Sequence, residues 1–197
     1  MARDRAARPE ARPLRLFAAV DIPPAATRAV VEAVEPWKEQ LGSGRWVRPE
    51  NWHITMKFLG RTYPRLLDWV HEACREAAAE IRPFRVSLSG LGAFPSVGRA
   101  RVLWAGMEDE GDGFRALASA LDRRLEKEFK PEKRPFTAHL TVARFDPPIR
   151  LKEHAEELAV TEIRARRFTI GELVLYRSHL SPRGARYEPL ERFPLRG

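Results

Sequence analysis

The chain has 197 residues, enough for one domain or two closely packed lobes with a sizeable core. Apolar residues make up 44% of it, which excludes a disordered polyelectrolyte, and no apolar run approaches the ~20 residues of a membrane-spanning helix. A formal net charge of +8 favours polyanionic partners, and a single cysteine, Cys74, excludes an internal disulfide and a cysteine-based metal cluster.

The first twelve residues, MARDRAARPEAR, have no apolar stretch of the kind a secretory signal needs and read as a basic disordered tail over 1–12. Together with the cysteine usage this points to the cytoplasm. Leu14–Asp21 (LRLFAAVD) reads as a strand apolar enough to be central in its sheet. Pro23 and Pro24 open a helix, where proline is tolerated because the first N–H groups are unpaired anyway. Val30, Val31, Val34 and Trp37 share a face of it, Pro36 predicts a kink or break, and Gly42-Ser43-Gly44 ends it. Trp46–Arg48 is a short extended piece, and Pro49-Glu50-Asn51 a turn. His53–Leu59 (HITMKFL) is a strand closed by Gly60. Pro64–Ile81 is an amphipathic helix with Leu66, Leu67, Val70, Ala73, Cys74 and Ala77 inward. Phe84–Leu91 alternates as a half-exposed strand does, 92–99 reads as a loop, and Val102–Ala105 as a strand.

The rhythm then returns. Gly113–Phe129 is a second helix, with Phe114, Leu117, Leu121 and Leu125 on one face. After a basic turn at Pro131–Phe136, Ala138–Arg144 (AHLTVAR) is a strand stopped by Pro147-Pro148. Leu151–Leu158 is a short helix, Phe168–Tyr176 a strand, and Tyr187–Phe193 its hairpin partner across Pro182-Arg183-Gly184. Strands and helices mix without a strict βαβ order, so the fold class is α+β with mainly antiparallel sheets.

Two strands carry one tetrapeptide pattern: His53-Ile54-Thr55-Met56 and His139-Leu140-Thr141-Val142. Side chains alternate along a strand, so His53 and Thr55 share one face and His139 and Thr141 repeat the arrangement. Side by side, the strands would line a cleft with two imidazoles and two hydroxyls. That inventory suits in-line opening of a cyclic phosphate. One group takes a proton from water, another protonates the leaving ribose oxygen, and histidine serves either role near neutral pH. The hydroxyls can donate to non-bridging oxygens, where charge builds. Such a pair predicts a bell-shaped pH profile with its optimum near neutrality. Arg144 follows His139 by five residues, an odd spacing that regular alternation sends to the opposite face unless a bulge redirects it. His71, His154 and His179 lack this context and read as surface or loop residues. No His or acidic cluster has metal-ligand spacing, so neither metal nor cofactor is expected.

The chain resembles the RNA 2′,3′-cyclic phosphodiesterases of the 2H phosphoesterase superfamily, formerly called 2′-5′ RNA ligases. The resemblance runs from about Leu14 to Phe193. It rests on RLFAAVDIPP (15–24), WVRPENWHITMKFLG (46–60), RVLWAG (101–106), RPFTAHLTVAR (134–144) and LYRSHLSPRGARYEPL (175–190). It implies two pseudo-symmetric lobes, each an antiparallel sheet with helices, around a central cleft, as a single bilobal domain over 13–197. It implies that His53 protonates the leaving O3′, that His139 activates water, and that Thr55, Thr141 and Arg144 hold the phosphate without metal. Phe58 falls at the family's aromatic position, where a core role and a substrate contact are both open. The implied partner is RNA with a 2′,3′-cyclic phosphate end, with no membrane and no obligate protein partner. Two alternatives are RNA end joining and action on a smaller cyclic nucleotide. A third is a non-catalytic RNA-binding module, which would have no need of two titratable groups.

Overall fold

The computed structural model describes residues 12–182 and 184–197, so all of the expected tail but Arg12 lies outside the described residues. The strands are β1 (Leu14–Val20), β2 (Arg45–Trp46), β3 (Ile54–Thr62), β4 (Phe84–Phe94), β5 (Ala100–Asp109), β6 (His139–Ile149), β7 (Phe168–Ile170), β8 (Glu172–Ser181) and β9 (Gly184–Pro194). The helices are α1 (Pro24–Leu41), α2 (Leu67–Ala79), α3 (Gly113–Leu125) and α4 (Ala155–Ala159). The strands form two antiparallel sheets, ordered β3-β1-β8-β9 and β2-β6-β5-β4-β7. The fold is therefore α+β, and β3 of the first sheet touches β6 of the second.

Helices cover the outer faces. α2 and α3 pack on each other, α2 against β8 and β9, and α3 against β3. The stripe Val70, Ala73, Cys74 and Ala77 on α2 is buried, as are Ala18, Ile54, Leu173 and Phe193 of the first sheet. Behind the second sheet α4 packs on β4, and α1 joins it through Trp37, whose indole donates to Thr161 Oγ1 (3.1 Å). Leu103, Leu140, Val142 and Leu158 are fully buried there. Each such side chain contributes about 1.5–3 kcal/mol of transfer free energy, which fixes which face of each strand is left for solvent.

One buried charge ties the histidine strands together. Lys57 of β3 pairs with Asp122 of α3 and donates to Lys130 O (3.0 Å). Asp122 also accepts from the Glu132 N–H (3.1 Å). The segment leading to His139 is thus anchored to the strand that follows His53. Losing Asp122 would strand the buried Lys57 charge, which costs about 3–5 kcal/mol.

Several elements differ from the sequence expectation. α1 runs unbroken through Pro36, which is exposed at a point where the missing N–H breaks only one intrahelical bond. β4 extends to Phe94 because β5 pairs with it that far, so the 92–99 loop is shorter than expected. β6 continues through Pro147-Pro148 to Ile149, which pairs with Ala100. The strand expected over 168–176 is two strands in different sheets: Gly171 separates β7, on β4, from β8, on β1. Alternation along one chain cannot reveal a change of partner.

Candidate active site

Each histidine sits where its strand begins. His53 directly precedes β3 and His139 opens β6. Ile54 and Leu140 behind them are fully buried, while His53, Thr55, His139 and Thr141 are half-buried. Both rings are held in the same way. His53 Nδ1–H donates to Asn51 O (2.8 Å), and His139 Nδ1–H donates to Thr137 O (2.8 Å). In each case the acceptor is the carbonyl two residues upstream. Occupying Nδ1 fixes the neutral tautomer and leaves Nε2 as the atom that exchanges a proton. The repeated tetrapeptide is therefore a repeated three-dimensional unit.

The ladder explains the placement of Arg144. In the β5–β6 pairing Leu103 faces Ala143 but Trp104 faces Thr141, so Val142 is skipped. Val142 and Ala143 are consecutive buried residues, and the alternation restarts one position out of phase. Arg144 thereby returns to the exposed face that carries His139 and Thr141. The first lobe repeats the slip: Ala18 faces Lys57, Ala19 faces Thr55, and Met56 is skipped. Met56 and Lys57 are both buried, and Phe58 emerges with its ring 65% exposed. Phe58 and Arg144 are thus equivalent positions, five residues after each histidine, one apolar and one cationic.

Aromatic side chains buttress both imidazoles. His53 lies 4.7 Å from the Phe17 ring centroid and meets Tyr187 edge-on at 5.0 Å, while Phe17 stacks on Tyr176 at 5.2 Å. His139 meets Phe94 edge-on at 5.0 Å, with Trp104 beyond at 6.5 Å. Gly92 makes room for that indole, since a Cβ there would lie 2.3 Å from it. Asn51 is held from a second side, its Nδ2 donating to Ala185 O (2.9 Å) at the start of β9. Sequence reading missed Asn51, Phe17, Tyr187, Phe94 and Trp104. Only the turn before each His-x-Thr strand hinted at a positional role for Asn51.

Electrostatics distinguish the two rings. Burial pulls His53 from its usual 6.5 down to about 4, opposed by the Asn51 carbonyl and by Asp21, and reinforced by Arg144 and His139. His139 is also lowered by burial, opposed by the Thr137 carbonyl and reinforced by Arg144. The two imidazoles and the Arg144 guanidinium therefore lie within each other's fields, as an anion site requires. Of the two imidazoles, Asp21 acts on His53. It also accepts from Tyr176 Oη–H (2.6 Å) and from Arg192 (3.1 Å), and burial followed by this bond pushes the Tyr176 hydroxyl upward.

The other histidines serve packing. His71 pairs with Glu191, and His179 with Glu188 on the facing strand (2.6 Å). His179 thus belongs to β8, whereas the sequence suggested a loop. His154 is half-buried, edge-on to Trp37 at 5.8 Å. Among the described residues no three His, Cys, Asp or Glu side chains gather as a metal site, and no helix is long and apolar enough to cross a membrane.

A family model described as the 2′-5′ RNA ligase superfamily matches residues 23–182. A protein of Archaeoglobus fulgidus named RNA 2′,3′-cyclic phosphodiesterase is 35% identical over 189 residues, covering 91% of this chain and 99% of the relative. One of the same name from Methanothermobacter thermautotrophicus is 33% identical over 186 residues, covering 92% and 99%. The crystal structure of TT0787 of Thermus thermophilus superposes with a TM-score of 0.77 at 31% identity, covering 93% of this chain and 99% of that one.

Proposed function

This chain belongs to the 2′-5′ RNA ligase superfamily, and we propose that it hydrolyses 2′,3′-cyclic phosphate ends of RNA to 2′-phosphate ends without metal, with His53 and His139 as its acid–base pair. The names of its curated relatives support a phosphodiesterase acting on such ends. The observation that carries the mechanism is the duplicated histidine unit, in which each Nδ1 is tied to a carbonyl and each Nε2 is left to exchange a proton. Residues 13–197 act as one bilobal unit.

The neutral Nε2 of His139 takes a proton from water as the water oxygen bonds to phosphorus. The P–O3′ bond breaks on the opposite side, and His53 Nε2–H protonates the departing O3′. The 2′-ester bond stays intact, so the product is a 2′-phosphomonoester with a free 3′-hydroxyl. The proton gained by His139 and the one lost by His53 re-equilibrate through solvent. The acid role of His53 rests on the family resemblance; Asp21 favours its protonated form but does not overcome the burial that lowers it. Thr55 and Thr141 donate to the non-bridging oxygens, and Arg144 forks onto them.

The test is a short RNA with a 2′,3′-cyclic phosphate end, incubated with excess EDTA, the product end being identified by phosphorus NMR. A 2′-phosphate formed at an undiminished rate is expected. A 3′-phosphate product, or activity lost on chelation and restored by one divalent ion, would overturn the reading.

A further inference from the structure

β2 is only two residues long, yet it sets Arg45 directly opposite Arg144 across the antiparallel ladder with β6. Directly opposed residues point to one face, with Cβ atoms about 4.5–5.5 Å apart. Trp46 opposes buried Ala143 and packs against the core, so Arg45 is on the exposed face with Arg144, Thr141 and His139. Two glycines make the approach possible. Gly42 closes α1 at φ 56°, and Gly44, at φ 111°, passes so near Phe145 that a Cβ would lie 2.5 Å from its ring. The Val47 N–H then donates to Val142 O (2.8 Å), fixing this segment against the skipped residue that turns Arg144 outward.

Like charges directly opposed in a ladder repel. Both guanidiniums are exposed, and among the described residues neither has a carboxylate partner. Arg124 is matched with Glu76 and Glu80, and Arg192 with Asp21 and Glu172, whereas Arg15 and Arg61 oppose each other across the β1–β3 ladder with no carboxylate partner among the described residues. Anions from outside would balance the Arg45–Arg144 pair. Arg144 acts on both imidazoles, and Arg45 acts on neither. Arg45 stands one strand further from the reacting centre, about 4.8 Å away by strand spacing.

We propose that Arg45 binds the internal phosphodiester adjacent to the terminal cyclic phosphate, so that the site is built for an oligonucleotide and not for a mononucleotide. This rests on the assignment of cyclic-phosphate hydrolysis. Arg144 takes the reacting phosphate, and Arg45 takes its 5′ neighbour with the same bidentate fork.

The test compares a nucleoside 2′,3′-cyclic phosphate with a dinucleotide that ends in the same group and contains one internal phosphate. Arg45→Ala should lower the dinucleotide-to-mononucleotide ratio of kcat/KM about tenfold, the loss of one charged hydrogen-bonded contact. Arg45→Lys should recover part of it. Arg123→Ala, which removes the same charge from α3 beside Glu80, should leave the ratio unchanged. Binding of a 2′-phosphate-ended tetranucleotide, followed by fluorescence anisotropy, needs no turnover. There Arg45→Ala should reduce the slope of log K against log salt by about 0.7, one single-strand phosphate contact. An unchanged ratio, an equal loss on both substrates, or a wild-type salt slope would overturn the role of Arg45. Failure of the wild type to hydrolyse either substrate would instead remove the assigned reaction, and the salt slope would still decide for or against Arg45.

Discussion

The two histidines should give different pH optima for the free and the occupied site. Burial holds His53 near 4 in the free protein. Three units above that value, at pH 7, about one His53 ring in a thousand is protonated. His139 is also lowered from 6.5 by burial, so the singly protonated pair is most populated on the acid side of the neutral optimum that histidine alone suggests. A phosphate anion in the cleft favours both imidazolium forms. At about 4 Å and an effective dielectric of about 20, its attraction is about 4 kcal/mol. At 1.36 kcal/mol per unit that raises a pKa by about 3, returning His53 to about 7. The kcat/KM profile, which reports the free enzyme, should therefore be a bell centred on the acid side. The kcat profile, which reports the complex, should be displaced toward neutrality. The assay is steady-state turnover from about pH 4 to 9 on a cyclic phosphate whose charge is constant there, with a solvent isotope effect establishing that chemistry limits the rate. Coincident profiles would refute placement of the phosphate against the imidazoles. An acid limb of kcat/KM already falling at 6.5 would refute the effect of burial on His53, and flat profiles would refute two-histidine catalysis.

His53→Ala and His139→Ala should each abolish hydrolysis with the thermal melt preserved, and the double variant should be hardly slower than either single one because the rings act as a unit. Near-normal turnover in a folded single variant would remove the assignment. Arg144→Ala should lose about 2–4 kcal/mol of transition-state stabilisation, like loss of an oxyanion donor. Arg144→Lys should also be impaired because it keeps the charge without the fork, and a wild-type kcat/KM in either variant would contradict phosphate contact. Phe58→Ala should leave stability nearly unchanged, since its ring is 65% exposed, yet raise KM by the equivalent of about 1–3 kcal/mol if a base stacks there. An equal effect on ribose 2′,3′-cyclic phosphate, which has no base, would exclude stacking.

The sequence by itself determined the two His-x-Thr strands, the inward Ile54 and Leu140, the helices between them and the α+β class. Each of these follows from local alternation and periodicity. The repeated tetrapeptide also singled out His53, Thr55, His139 and Thr141, because a strand puts residues two apart on one face. Tertiary structure alone decided what depends on pairing between distant segments. The break at Gly171 exists because β7 and β8 find different sheets, a choice made by β4 and β1 and not by the segment itself. Arg144 is on the histidine face, against its odd spacing, because the ladder with β5 skips Val142 and both Val142 and Ala143 find buried positions. Asn51 reaches Ala185 across 134 residues of chain, and Tyr187, Phe94 and Arg45 likewise meet the site from distant segments or across a sheet edge, which no local pattern encodes. Even the titration of His53 is a tertiary property. Its imidazole is ordinary in the chain and becomes depressed only where Phe17 and Tyr187 close around it and exclude the water that would solvate its charge.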